Sequence, residues 1–124
     1  MSDLQCAARF VVVAAGVPAP ERLRGEQPAA VHAAPGTHGD AARLAAALAV
    51  PLRPIAAASD RTALAAALDE LADEYRGECV AVVVPALAGL DGGVRPSADG
   101  GLLVEVDADG QRWAPWPVSA ARGR

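Results

Sequence analysis

The chain of 124 residues has no lysine, no asparagine and a single isoleucine, Ile55. All 11 of its basic residues are arginine. Such a bias, joined to abundant alanine, is what GC-rich bacterial coding produces, so arginine abundance is no sign of arginine chemistry. Aromatic side chains are equally scarce: one Phe, one Tyr and two Trp. With a net charge of −4, scattered arginines and no aromatic platform, nucleic acid is excluded as an expected partner. Two cysteines, Cys6 and Cys79, stand far apart and outside any C-x-x-C spacing. No disulfide framework is expected, only reduced thiols. The apolar run over residues 10–15 is too short for a signal-peptide core or a membrane span, and no positive charge precedes Arg9. The expected setting is the cytoplasm, without membrane contact.

What the sequence does have is a continuous β-branched run over residues 78–85, Glu-Cys-Val-Ala-Val-Val-Val-Pro, between Gly77 and Pro85. A run apolar on both faces reads as a strand covered above and below. It follows a helical pattern and leads into a glycine-rich loop, so it predicts the central strand of an α/β sheet. In open sheets of this kind, ligands gather beyond the carboxyl ends of the strands. Residues 9–14 (Arg-Phe-Val-Val-Val-Ala) predict a second buried strand lying beside or near the first.

Between these strands, Pro20 predicts the first turn of a short helix closed by Gly25, and residues 29–34 a short strand stopped by Pro35-Gly36. Thr37 and Asp40 stand three apart in a capping arrangement ahead of a helix over 38–49, whose stripe is Ala41, Leu44, Ala45 and Leu48 and which Pro51 ends. Residues 52–56 predict a strand that Pro54 confines to an edge or a strand end. Ser59 or Asp60 then caps a helix with Leu64, Leu68, Leu71 and Tyr75 on one side and Gly77 in the C′ position. After the central strand, residues 102–107 alternate, Asp109-Gly110 turns the chain, and 111–116 return as a hairpin partner. The expected fold is a three-layer α/β domain over residues 1–118. Its sheet is mainly parallel, flanked by helices and closed by a C-terminal antiparallel hairpin, with a frayed tail over 119–124.

This order of elements resembles the histidine phosphatase (phosphoglycerate mutase-like) superfamily. The family's opening strand runs into Arg-His-Gly; here Phe10-Val-Val-Val-Ala14-Ala15-Gly16 keeps the strand and the glycine. Its second motif, a strand ending in Ser-Ser-Pro followed by an arginine and a helix, corresponds to Val31-His32-Ala33-Ala34-Pro35-Gly36-Thr37-His38. Its third, a strand ending in Ser-His-Gly, corresponds to Val82-Val83-Val84-Pro85-Ala86. The family's reaction needs a histidine to attack phosphorus, a second histidine and two arginines around the phosphoryl oxygens, and a carboxylate for the leaving group. Those positions carry Ala14, Ala15, Thr37 or His38, and Pro85, and no acid loop follows Ile55. The resemblance therefore implies the fold without catalytic residues. It leaves a degenerate ligand site of Ala15, Gly16, Thr37, His38, Pro85 and Ala86, whose helix-terminal amides suit an anion.

Other constellations read as structural. His32 and His38, separated by Pro35-Gly36, lack a third metal ligand. Glu105, Asp107, Asp109 and Gly110 mimic half of an EF-hand loop, but Trp116 stands where the bidentate acid belongs, so a solvated hairpin turn is expected. Gly89-Leu-Asp91-Gly92-Gly93 lacks the ending of a phosphate loop and reads as a flexible connection. Trp113 and Trp116 are either core plugs of the hairpin or anchors of an interface. No cofactor or metal is expected. The leading expectation is a non-catalytic domain that binds a protein partner or a small anionic ligand, as a homodimer formed through the hairpin. Its rivals are a weak phosphomonoesterase and an oligomeric structural subunit without a ligand.

Overall fold

A computed structural model describes residues 7–16, 20–55, 60–90 and 100–116. Six strands and three helices are present among them: β1 (Ala8–Ala14), α1 (Pro20–Arg24), β2 (Val31–Ala33), α2 (His38–Leu48), β3 (Leu52–Pro54), α3 (Arg61–Ala72), β4 (Cys79–Val84), β5 (Gly101–Asp107) and β6 (Gly110–Trp116). They form one mixed sheet in the order β3-β2-β4-β1-β5-β6. β3, β2, β4 and β1 run parallel to one another, whereas β5 is antiparallel to both β1 and β6. The two doubly apolar runs are adjacent, with Phe10 beside Val80 and Val13 beside Val83.

Continuous apolarity in β1 and β4 follows from their position. Phe10, Val12, Val80, Val82 and Val84 point to the face covered by α3, where they meet Leu64 and Leu68. Val11, Val13, Ala81 and Val83 point to the other face, against Leu23 of α1 and Leu44 of α2. Each fully buried Val, Leu or Phe contributes on the order of 1.5–3 kcal/mol to that three-layer packing. Leu90, just after β4, is folded back into the α3-side core. Gly100 and Gly101 lead into β5 where it crowds β1. A Cβ at Gly101 would lie 2.0 Å from the Val12 carbonyl oxygen, so only glycine fits there.

Several local expectations are refined. Asp60, not Thr37, provides side-chain capping: its Oδ1 accepts from the Ala63 amide at 2.8 Å. The Thr37 hydroxyl turns inward instead, toward the carbonyls of Ala34 at 2.8 Å and Val83 at 3.2 Å, and Asp40 pairs with Arg43. α2 ends at Leu48, ahead of Pro51, because Ala49 adopts left-handed backbone and closes the last turn. α3 ends at Ala72, so Tyr75 and the left-handed Gly77 belong to the turn beyond it. Ala108 and Asp109 form the hairpin turn, with the Asp107 carboxylate accepting from the Asp109 amide. The alternating acids make ion pairs: Glu105 with Arg9 and Arg112, and Asp107 with Arg112, whose guanidinium holds that carboxyl below its usual range.

Trp116 is 1% exposed and donates to Glu26 at 2.9 Å, so of its two readings, core plug and interface anchor, it takes the first. Trp113 is half-buried against the α3-side core, beneath the Arg61 guanidinium at 4.1 Å, with its Nε1 donating to Gln111. Cys6, the Ser59 cap, Ala56, residues 91–93 of the glycine-rich loop and the tail over 119–124 lie outside the described residues.

Candidate functional site

The three stretches that resemble family motifs lie far apart in sequence and meet at one end of the sheet. β1, β4 and β2 are adjacent and parallel, so their carboxyl ends finish side by side. The Ala15 amide donates to Val84 at 2.7 Å and the Ala34 amide to Val83 at 2.9 Å, which draws the three loop starts together. Thr37 is buried beneath this junction through its bond toward Val83. Gly16 and Gly36 make the turns away from the strands at φ near +90°, where a side chain would be strained. Pro85 and Ala86 are exposed at the end of β4.

A cleft of about 380 Å³ opens beside this junction, at the ends of β2 and β3. Ala33, Ala34, Pro35 and Gly36 form one wall, Leu52 to Ile55 the other, and His38 stands at the rim. Of the six expected site residues only His38 lines it; Thr37 lies buried next to it, and Ala15, Gly16, Pro85 and Ala86 are at the junction outside it. Arg53 is the functional candidate that sequence reasoning passed over. The available signal was its place at the carboxyl end of a strand in a parallel sheet, where ligands collect. Its guanidinium is 3.2 Å from Glu74, both side chains being about half exposed, so it is restrained without being committed.

The cleft's polar side chains are thus one imidazole and one guanidinium, amid small and apolar neighbours. The amides that open α2 have no side-chain cap, and because α2 follows β2 its positive dipole end lies at this end of the sheet. Among the described residues that line the cleft there is no carboxylate, hydroxyl or thiol, and the one nitrogen nucleophile is the His38 imidazole. Among the described residues no cluster of His, Cys, Asp and Glu is suited to a metal, and no helix is long and apolar enough to cross a membrane. Cys79 belongs to the opposite end of the sheet, and burial pushes its thiol up to about 11, which keeps it protonated and unreactive near neutrality.

His32 is the other histidine of the expected pair. It is buried, bonded to Pro54 and Tyr75, and does not line the cleft with His38. Compared with protein-family models, with curated proteins and with solved structures, the chain matches none.

Proposed function

We propose that the protein is a non-catalytic domain of histidine-phosphatase-like architecture that binds a small anionic ligand at the carboxyl end of its sheet. The observation that carries this reading is the cleft bearing Arg53 and His38 beside the uncapped start of α2. A guanidinium and helix-terminal amides both complement negative charge, and the small apolar walls favour a compact ligand. Convergence of residues 14–16, 34–37 and 85–86 supports the architectural part, because three motif-like stretches distant in sequence end together.

The absence of catalysis is argued from residue chemistry. Ala15 cannot form a phosphoenzyme, and Pro85 offers no side chain to a phosphoryl oxygen. Binding that grips substrate and transition state equally does not speed a reaction. The test is a thermal-shift series with inorganic phosphate and phosphomonoesters, paired with an aryl-phosphate turnover assay. A ligand at a hundredfold its Kd adds about 2.7 kcal/mol to stability. That shift is expected in the wild type and lost in Arg53→Ala and His38→Ala, with no turnover in any of the three. Absence of any shift ends the binding reading, and turnover abolished by His38→Ala ends the non-catalytic one.

A further inference from the structure

The cleft at the ends of β2 and β3 holds far more space than a bare anion fills. Its volume is about 380 Å³. At roughly 30 Å³ for each water-sized group, there is room for on the order of a dozen non-hydrogen atoms. A carboxylate or phosphate head takes only a minority of that space. The walls are apolar, formed by Ala33, Ala34, Pro35, Leu52, Pro54 and Ile55. Pro35 and Pro54 are exposed and Leu52 is half-buried, so apolar surface stands open to water there. An apolar body joined to the anion covers that surface, and each buried methylene is worth about fourfold in affinity.

Charge decides the head. Arg53 is the only guanidinium or ammonium among the described residues lining the cleft. Its Nη1 donates to Glu74 Oε2 at 3.2 Å, and among the described residues no other hydrogen bond takes up the guanidinium. The edge formed by Nε and Nη2 is therefore open. It suits a pair of oxygens lying in the guanidinium plane, the geometry a carboxylate offers.

Glu74 also limits how much charge the head can carry. With the His38 imidazole neutral, the guanidinium supplies one positive charge and the start of α2 about half of one, against the negative charge of Glu74. The balance is about half a positive charge, enough for a monoanion and too little for the dianion of a phosphomonoester. On the footing that the cleft binds an anion, we infer that this anion is a monocarboxylate joined to a compact apolar body, its head on the open edge of Arg53 and its body against the walls of β2 and β3. Glu74 is then a specificity residue. It touches the guanidinium instead of the ligand and holds the head to a single charge.

The test is an amide-resolved NMR titration of the full chain at about pH 8, above the ordinary histidine range. The probes are benzoate, acetate, benzamide and phenyl phosphate. Shifts are expected at Ala34, Gly36, His38 and Ile55, which line the cleft. Acetate lacks the body and benzamide lacks the charge, and each is expected to bind about tenfold weaker than benzoate. Phenyl phosphate should bind no tighter than benzoate. Arg53→Ala should bring benzoate down to the level of benzamide. Glu74→Gln leaves the walls in place. It should move the ratio of phenyl phosphate to benzoate affinity about threefold toward the phosphate, the scale of an exposed charge pair. Acetate matching benzoate, phenyl phosphate binding tighter than benzoate, or a ratio unmoved by Glu74→Gln each overturns the monocarboxylate and leaves anion binding standing. Benzamide matching benzoate, or no shift at these amides with any of the four, overturns both.

Discussion

Strand β6 runs for seven residues, pairs with β5 along its whole length and buries Trp116, whereas β3, at the other edge, has three residues and buries none of them fully. β6 is tied inward by side chains: Trp116 to Glu26, Gln111 to Ala65 and Asp69 of α3, Trp113 beneath Arg61. β3 is held by backbone bonds, the imidazole behind it, half-buried Leu52 and the exposed Arg53–Glu74 pair. The contrast separates two uses of an edge strand. One whose side chains enter the core closes the fold, and one whose side chains stay outside lends a wall to a cleft. Local stability is expected to differ accordingly, since it follows buried contacts rather than sheet membership.

The sharpest way to break this comparison is Trp116→Ala, which empties a large buried site and removes the indole donor from Glu26, leaving that carboxylate to Arg9. It should cost about 3–5 kcal/mol, read as a lowered denaturant midpoint. A loss under about 1 kcal/mol, within the range of exposed ion pairs, would show that β6 does not close the fold. Next comes Gly101→Ala, where the Cβ would strike the Val12 carbonyl and push β5 away from β1. Overpacking against rigid backbone should cost about 1–3 kcal/mol, seen in the same denaturation series. The smallest effect is expected for Arg53→Ala, which removes an exposed ion pair with Glu74 and should change stability by less than about 1 kcal/mol.

Much of the fold was legible because it is written in local patterns. Two double-sided apolar runs, a period-2 hairpin and a helix behind Asp60 signal their elements directly, and the adjacency of β1 and β4 follows from both needing cover. What stayed hidden was set by distant partners. Nothing in the Thr37–Asp40 spacing reveals that the Val83 carbonyl draws the Thr37 hydroxyl inward. Tyr75 fits the leucine stripe of α3, yet lies past its end and serves His32, 43 positions away. Of the expected site, the loop positions converge as placed, but the cleft opens one strand over, at β3, whose short, proline-bearing sequence gave a weak strand signal. The positions that match family motifs lack reactive side chains, and Arg53 lies outside all of them, in the strand next door.

Both outer strands carry a proline, Pro54 in β3 and Pro115 in β6. Because the backbone at Pro51 and Ile55 bonds to β2, position 54 faces away from the sheet. In the two-residue hairpin closed by Asp107 and Gly110, rungs alternate so that position 115 also faces outward. Each rim of the sheet thus has a gap in its outward row of donors. A second chain laid alongside as a seventh strand would meet a missing rung on either side. Growth by strand addition, the route to fibrils and swapped sheets, is thereby discouraged at both ends. Pairing of two copies through side-chain surfaces is correspondingly favoured over pairing through the backbone ladder.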